Sequence, residues 1–135
     1  MPTDRSPSPT PSAPARILLV DDDPMVAQLV IDMLTMDGYE VDTAPNGIAA
    51  LEMTESDRYD VILTDLHMPE MNGADLYREL AKRQTHPPQK IIFITGTAGT
   101  SEAHRVVQET GLPLLTKPFN VVELLELVRQ VLGAA

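Results

Sequence analysis

Asp65 closes an apolar run, Tyr59-Asp60-Val61-Ile62-Leu63-Thr64, and Asp21, Asp22 and Asp23 follow another, Ile17-Leu18-Leu19-Val20. Thr95 comes directly after Ile91-Ile92-Phe93-Ile94, and Lys117-Pro118-Phe119 after Leu114-Leu115-Thr116. An acid pair, an acid, a hydroxyl and a lysine thus each end a separate strand-like segment. Open α/β sheets bind ligands outside the carboxyl ends of their strands. Two carboxylates about 4 Å apart repel by roughly 4 kcal/mol at an effective dielectric near 20. Crowding Asp21, Asp22 and Asp65 together therefore requires a cation or raised pKa values. Oxygen ligands without a thiol favour Mg²⁺, or Mn²⁺ in its place, over zinc. Lys117 can serve as a point charge, and the Thr95 hydroxyl can donate to a phosphoryl oxygen. The set implies one acidic pocket for a divalent cation and a phosphoryl group.

The elements that must position these residues alternate. The sequence predicts strands over Arg16–Val20, Tyr39–Ala44, Tyr59–Thr64, Lys90–Thr95 and Leu112–Thr116. Asp23 reads as a helix N-cap with Pro24 at the first helical position, where its missing N–H costs nothing. Met25, Val26, Leu29, Val30, Met33 and Leu34 then recur at helical spacing, and Gly38 supplies a stop. Asn46-Gly47 turns into a helix to about Glu55, and Gly73 opens another to about Arg83. His86-Pro87-Pro88 breaks the chain. A short polar helix spans about Thr100 to Glu109 and ends at Gly111. The last helix runs from Val121 to Leu132, with Val121, Leu124, Leu125, Val128 and Leu132 apolar. Near-continuous aliphatic strands signal a sheet covered on both faces. The expected fold is α/β, a three-layer sandwich around a doubly wound five-stranded parallel sheet of order 2-1-3-4-5. That order makes the first and third strands neighbours and brings Asp21, Asp22 and Asp65 to the switch point.

Bulk composition excludes several classes. The chain has 135 residues, 43% hydrophobic, enough for one domain with a core. It has no cysteine, so disulfides and thiolate zinc sites are out, which fits a cytoplasmic location. With 20 acidic against 10 basic residues and a net charge of −10, it lacks a footprint for nucleic acid. No apolar run approaches a membrane span. Residues 1–15 are rich in proline and serine and read as a disordered tail or linker, with the folded domain over 16–133.

The set Asp21-Asp22, Asp65 with Met68-Pro69 and Gly73, Thr95-Gly96, and Lys117-Pro118-Phe119 resembles the receiver domain of two-component response regulators. The similarity runs from Arg16 to Gly133 and implies a flavodoxin-like fold. It also implies that Asp65 is the phosphoacceptor, charged from a phosphohistidine on a sensor histidine kinase or a histidine phosphotransfer protein. Asp22 would ligate Mg²⁺ directly, Asp21 through water and His67 through its backbone carbonyl. Thr95 and Lys117 would hold the phosphoryl oxygens, and the Lys117-Pro118 bond would be cis. Phosphorylation would switch the face made by the fourth helix, fifth strand and fifth helix for an unknown downstream protein. Many receivers carry an aromatic residue three positions before the lysine; here it is Leu114, which shifts the expected response to the Thr95–Thr100 loop and the fourth helix.

A haloacid dehalogenase-type phosphatase also uses an aspartate after a strand, but carries a second aspartate two residues on, where this chain has His67. No G-x-x-x-x-G-K-[ST] loop is present, which excludes a nucleotide switch of that kind. A degenerate receiver, acting only as a binding module, is disfavoured by the complete acidic set. The segment from Leu112 to Phe119 is similar to receivers of hybrid histidine kinases, which would make the Pro/Ser tail an interdomain linker; a free single-domain regulator is the alternative. The chain stops after the last helix with no helix-turn-helix or enzymatic output region, so the expectation is that it signals by binding or is one domain of a larger protein. His67, His86 and His104 read as solvated, and the methionines as core filler.

Overall fold

The aliphatic runs form strands because every side chain in them has somewhere apolar to go. The computed structural model describes residues 14–68, 71–83, 90–96 and 101–133, the side chain of Glu102 apart. Its elements are β1 (Arg16–Val20), α1 (Pro24–Met36), β2 (Glu40–Ala44), α2 (Gly47–Ser56), β3 (Val61–Asp65), α3 (Gly73–Arg83), β4 (Ile91–Thr95), α4 (Ser101–Thr110), β5 (Leu114–Thr116) and α5 (Val121–Gly133). The strands form one parallel sheet in the order β2-β1-β3-β4-β5, as expected.

Strand side chains alternate between two cores. Leu18, Val20, Ile62 and Phe93 pack with Ala50, Leu76, Leu80 and Val106 from α2, α3 and α4. Ile17, Leu19, Leu63 and Ile94 pack with Val30, Leu34, Leu124 and Val128 from α1 and α5. Leu63 sits at the centre of β3 with no exposure. Removing such a leucine side chain costs roughly 2–5 kcal/mol. Asp23 caps α1 by accepting from Met25 N at 3.0 Å, and Asn46 caps α2 by accepting from Ala49 N at 2.8 Å.

Four strands are shorter than the sequence suggests, β4 by Lys90 alone, and for the other three the reasons are local. At the start of β3, the Arg16 N–H goes to the Asp60 carboxylate at 2.8 Å, which ends the ladder before Tyr59. Tyr39 is lost to β2 because its N–H closes α1, donating to Leu34 O at 3.2 Å after Gly38 takes φ +94. Pro113 has no N–H to donate, although its carbonyl accepts from Phe93 N at 3.0 Å, so β5 starts at Leu114.

The expected α1 stripe needs correction. Val30 and Leu34 are buried, but Met25 is 82% and Leu29 53% exposed. At 3.6 residues per turn these two lie about 140° and 100° round from Val30, outside the apolar face. Met36 is also exposed, so the methionines are not uniformly core. Most of the tail (1–13), Pro69, His86-Pro87-Pro88 and the Thr97–Thr100 loop lie outside the described residues.

Candidate functional site

The register of the sheet sets the site. Val20 pairs with Ala44 on one side and Thr64 on the other, Asp65 pairs with Ile94, and Thr95 with Thr116. Asp21, Asp22, Asp65, Thr95 and Lys117 therefore all arrive at the carboxyl end of the sheet. Asp21, Asp22 and Asp65 each bring a carboxylate oxygen within 4.8 Å of the other two. Lys117 Nζ lies 3.5 Å from Asp65 Oδ2 and 4.0 Å from Asp21 Oδ2. Lys117 N donates to Thr95 O at 2.7 Å, which ties the tips of β4 and β5 together. Thr95 is fully buried, and the Lys117-Pro118 bond is cis.

The three acids share chemistry but not surroundings. The Asp21 side chain has no exposure, whereas Asp22 is exposed. Asp21 Oδ1 accepts from Asp23 N at 2.9 Å. Its Oδ2 has no hydrogen-bond partner among the described residues. Burial, the largest influence, pushes the Asp21 carboxyl above the usual carboxylate range; the Asp23 N–H opposes this, and the Asp65 charge adds to it. An orphaned, buried carboxylate oxygen beside two further carboxylates is a donor set that fits a hard divalent cation. Asp65 Oδ1 accepts from His67 N at 3.0 Å, which folds the chain after β3 around the carboxylate and holds the His67 backbone beside it.

Gly73 sets how closely α3 approaches Asp65. A Cβ there would stand 2.8 Å from Asp65 O, 3.1 Å from Leu66 Cα and 3.3 Å from Phe93 Cδ1. Gly73 N donates to Leu66 O at 3.1 Å, so α3 begins directly on the backbone that carries the acid. Asn72 and Asp75 cap the start of α3 reciprocally: Asp75 N donates to Asn72 Oδ1 at 2.8 Å, and Asn72 N to Asp75 Oδ2 at 3.4 Å. The sequence reading missed this box, although the Asn-x-x-Asp spacing announces it. Asn120 and Glu123 repeat the arrangement at α5, just after the Lys117 segment.

A groove of about 430 Å³ adjoins the acids, lined by Asp21, Asp22, Pro24, Ala27, Gln28, Ile31, Thr43, Ala44 and Pro45. His67 and His104 are exposed, in keeping with the sequence reading, and His86 lies outside the described residues. Among the described residues no helix is long and apolar enough to cross a membrane.

Comparison with known proteins agrees with this geometry. The model of the response regulator receiver domain family matches residues 17–129. Sensor kinase CckA of Brucella abortus is 37% identical over 123 residues, which cover 90% of this chain but 13% of that protein. This chain therefore spans only a small part of that relative. The chemotaxis protein CheY4 of Vibrio cholerae superposes with a TM-score of 0.80 at 33% identity, covering 88% of this chain and 99% of that one. The receiver domain of sensor histidine kinase PA1611 from Pseudomonas aeruginosa, solved with a magnesium ion coordinated in its active site cleft, gives 0.79 at 32% identity, covering 90% of this chain and all of that one. A sheet of this order, with three acids, a threonine and a lysine gathered at one end and a family match across nearly all of it, places the chain in the response regulator receiver domain family of two-component signalling.

Proposed function

We propose that the chain is a phosphoacceptor whose acceptor is Asp65, charged from a phosphohistidine on a sensor histidine kinase or a histidine phosphotransfer protein. The observation that carries this is the orphaned Asp21 Oδ2, crowded with Asp22 and Asp65 against a single lysine. Asp22, Asp65 and the His67 carbonyl would hold Mg²⁺, with Asp21 acting through water. When bound, the ion would offset negative charge on the phosphoryl group. Asp65 would form an O–P bond as the P–N bond to the donor imidazole breaks, and the imidazole would leave after taking a proton. Lys117 would take up charge on the phosphoryl oxygens, and the Thr95 hydroxyl would donate to one of them.

The new group brings about two negative charges next to Thr95 and Lys117. We read the face of α4, β5 and α5 as the output surface, with residues 16–133 as the receiver and 1–15 as a tail or linker. The likeness to CckA favours a second setting, a receiver working within a hybrid histidine kinase, where label on Asp65 would pass on to a histidine phosphotransfer protein.

Acetyl phosphate or a phosphorylated kinase with Mg²⁺ should yield a base-labile, acid-stable acyl phosphate. Asp65→Asn and EDTA should each abolish it. Asp22→Ala should weaken Mg²⁺ binding more than Asp21→Ala. Undiminished labelling of Asp65→Asn would overturn the assignment.

A further inference from the structure

Arg78 in the middle of α3 reaches across to Glu109 near the end of α4. Its Nε lies 2.9 Å from Glu109 Oε2 and its Nη2 2.7 Å from Glu109 Oε1, a two-pronged pair between residues 31 apart in the chain. Arg78 Nη1 also donates to Asp75 Oδ1 at 3.2 Å. Asp75 belongs to the capping box that starts α3 on the Asp65 backbone. The guanidinium thus joins the helix seated on the acceptor to the far end of the neighbouring helix.

Few side chains of α4 reach the core. Among its described side chains only Ala103 and Val106 are buried. Beside the pair lies a cleft of about 190 Å³, lined by Asn72, Ala74, Arg78, Arg105, Val106 and Glu109, which leaves unfilled space between the two helices. Leu114 supplies neither a ring nor a hydroxyl to carry a change from Thr95 to that helix.

We infer that the Arg78–Glu109 pair is a latch that holds α4 in its resting position and is given up when the acceptor site is filled. This rests on the phosphoacceptor reading above. A bidentate pair tolerates little relative displacement, because both N–H···O contacts depend on one guanidinium orientation. It is also half-exposed, so its strength is modest and screened by salt, as suits a contact that must break reversibly.

The test measures binding of Mg²⁺ with beryllofluoride, a phosphoryl mimic, to the wild-type chain, Arg78→Gln, Glu109→Gln and the double variant, together with amide exchange in α4 of the ligand-free proteins. Each single variant should bind the mimic about two- to fivefold more tightly. The double variant should match the singles, because both remove the same contact. Resting exchange in α4 should quicken in all three, and the affinity gain should shrink at high salt. Unchanged or weakened affinity in the variants, with the wild type still binding, would overturn the latch. Failure of the wild type to bind the mimic would instead overturn the acceptor reading.

Discussion

Both ends of the sheet gather carboxylates, and the two ends treat them oppositely. At the amino end, Arg16 lies 3.0 Å from Asp42, 3.6 Å from Asp57 and 4.0 Å from Glu40. Tyr59 OH donates to Asp42 Oδ2 at 2.8 Å, and the Arg16 guanidinium stacks over the Tyr59 ring at 5.0 Å. Asp60 accepts from Arg16 N. Asp42 and Asp60 therefore have donors, and the charge of Arg16 is shared among the acids around it. At the carboxyl end, Lys117 lies 3.5 Å from Asp65 and 4.0 Å from Asp21, Asp22 crowds beside them, and the buried Asp21 Oδ2 has no hydrogen-bond partner among the described residues. The first cluster is complete without a ligand. The second is stable only at a cost, which a bound cation would relieve. Acid count does not distinguish them; donor count does.

The largest expected effect falls on the carboxyl end alone. Gly73→Ala forces a methyl against Asp65 O, Leu66 and Phe93. Overpacking of this kind costs roughly 1–3 kcal/mol. Because the displaced backbone carries the acceptor, labelling from acetyl phosphate should also slow by about tenfold or more. A variant with lowered melting temperature but wild-type labelling would show that Gly73 matters only for packing.

A smaller effect tests the sign of the comparison. The Asp21 carboxyl is raised mainly by burial, so its ionisation opposes folding. A group whose folded pKa is raised contributes stability below its unfolded pKa and loses it as pH rises through the folded one. In EDTA, Asp21→Asn should therefore raise the melting temperature at pH 7 and give little gain near pH 4. Equal gains at both pH values would show that Asp21 carries no electrostatic penalty.

The smallest effect belongs to the amino end and has the opposite sign. Tyr59→Phe removes the donor to Asp42 but leaves Arg16 beside it. Stability should fall by about 0.5–1.5 kcal/mol with labelling unchanged. A loss of labelling would mean that the two ends are coupled through β1 and β3.

Much of this was legible in the residues. The alternation of aliphatic runs with helical spacing set the order of elements. Asp21, Asp22, Asp65, Thr95 and Lys117 stood out because each closes or follows a strand-like apolar run. Asp23 and Asn46 marked helix starts by their own hydrogen bonding. These are local facts, decided within a few residues of each position. Tertiary structure decided what depends on neighbours distant in sequence. Asp21 and Asp22 are adjacent and identical, yet one is buried and orphaned and the other exposed, because the chain turns out of the sheet between them. Met25 and Leu29 are apolar but exposed, because α1 has only one face against the sheet. Arg78 finds Glu109 only because the fold brings the end of α4 within reach of the middle of α3. Gly73 is indispensable only where α3 presses on the backbone of Asp65. Sequence pattern reports what a segment must bury, while three-dimensional packing settles which groups are left without a partner.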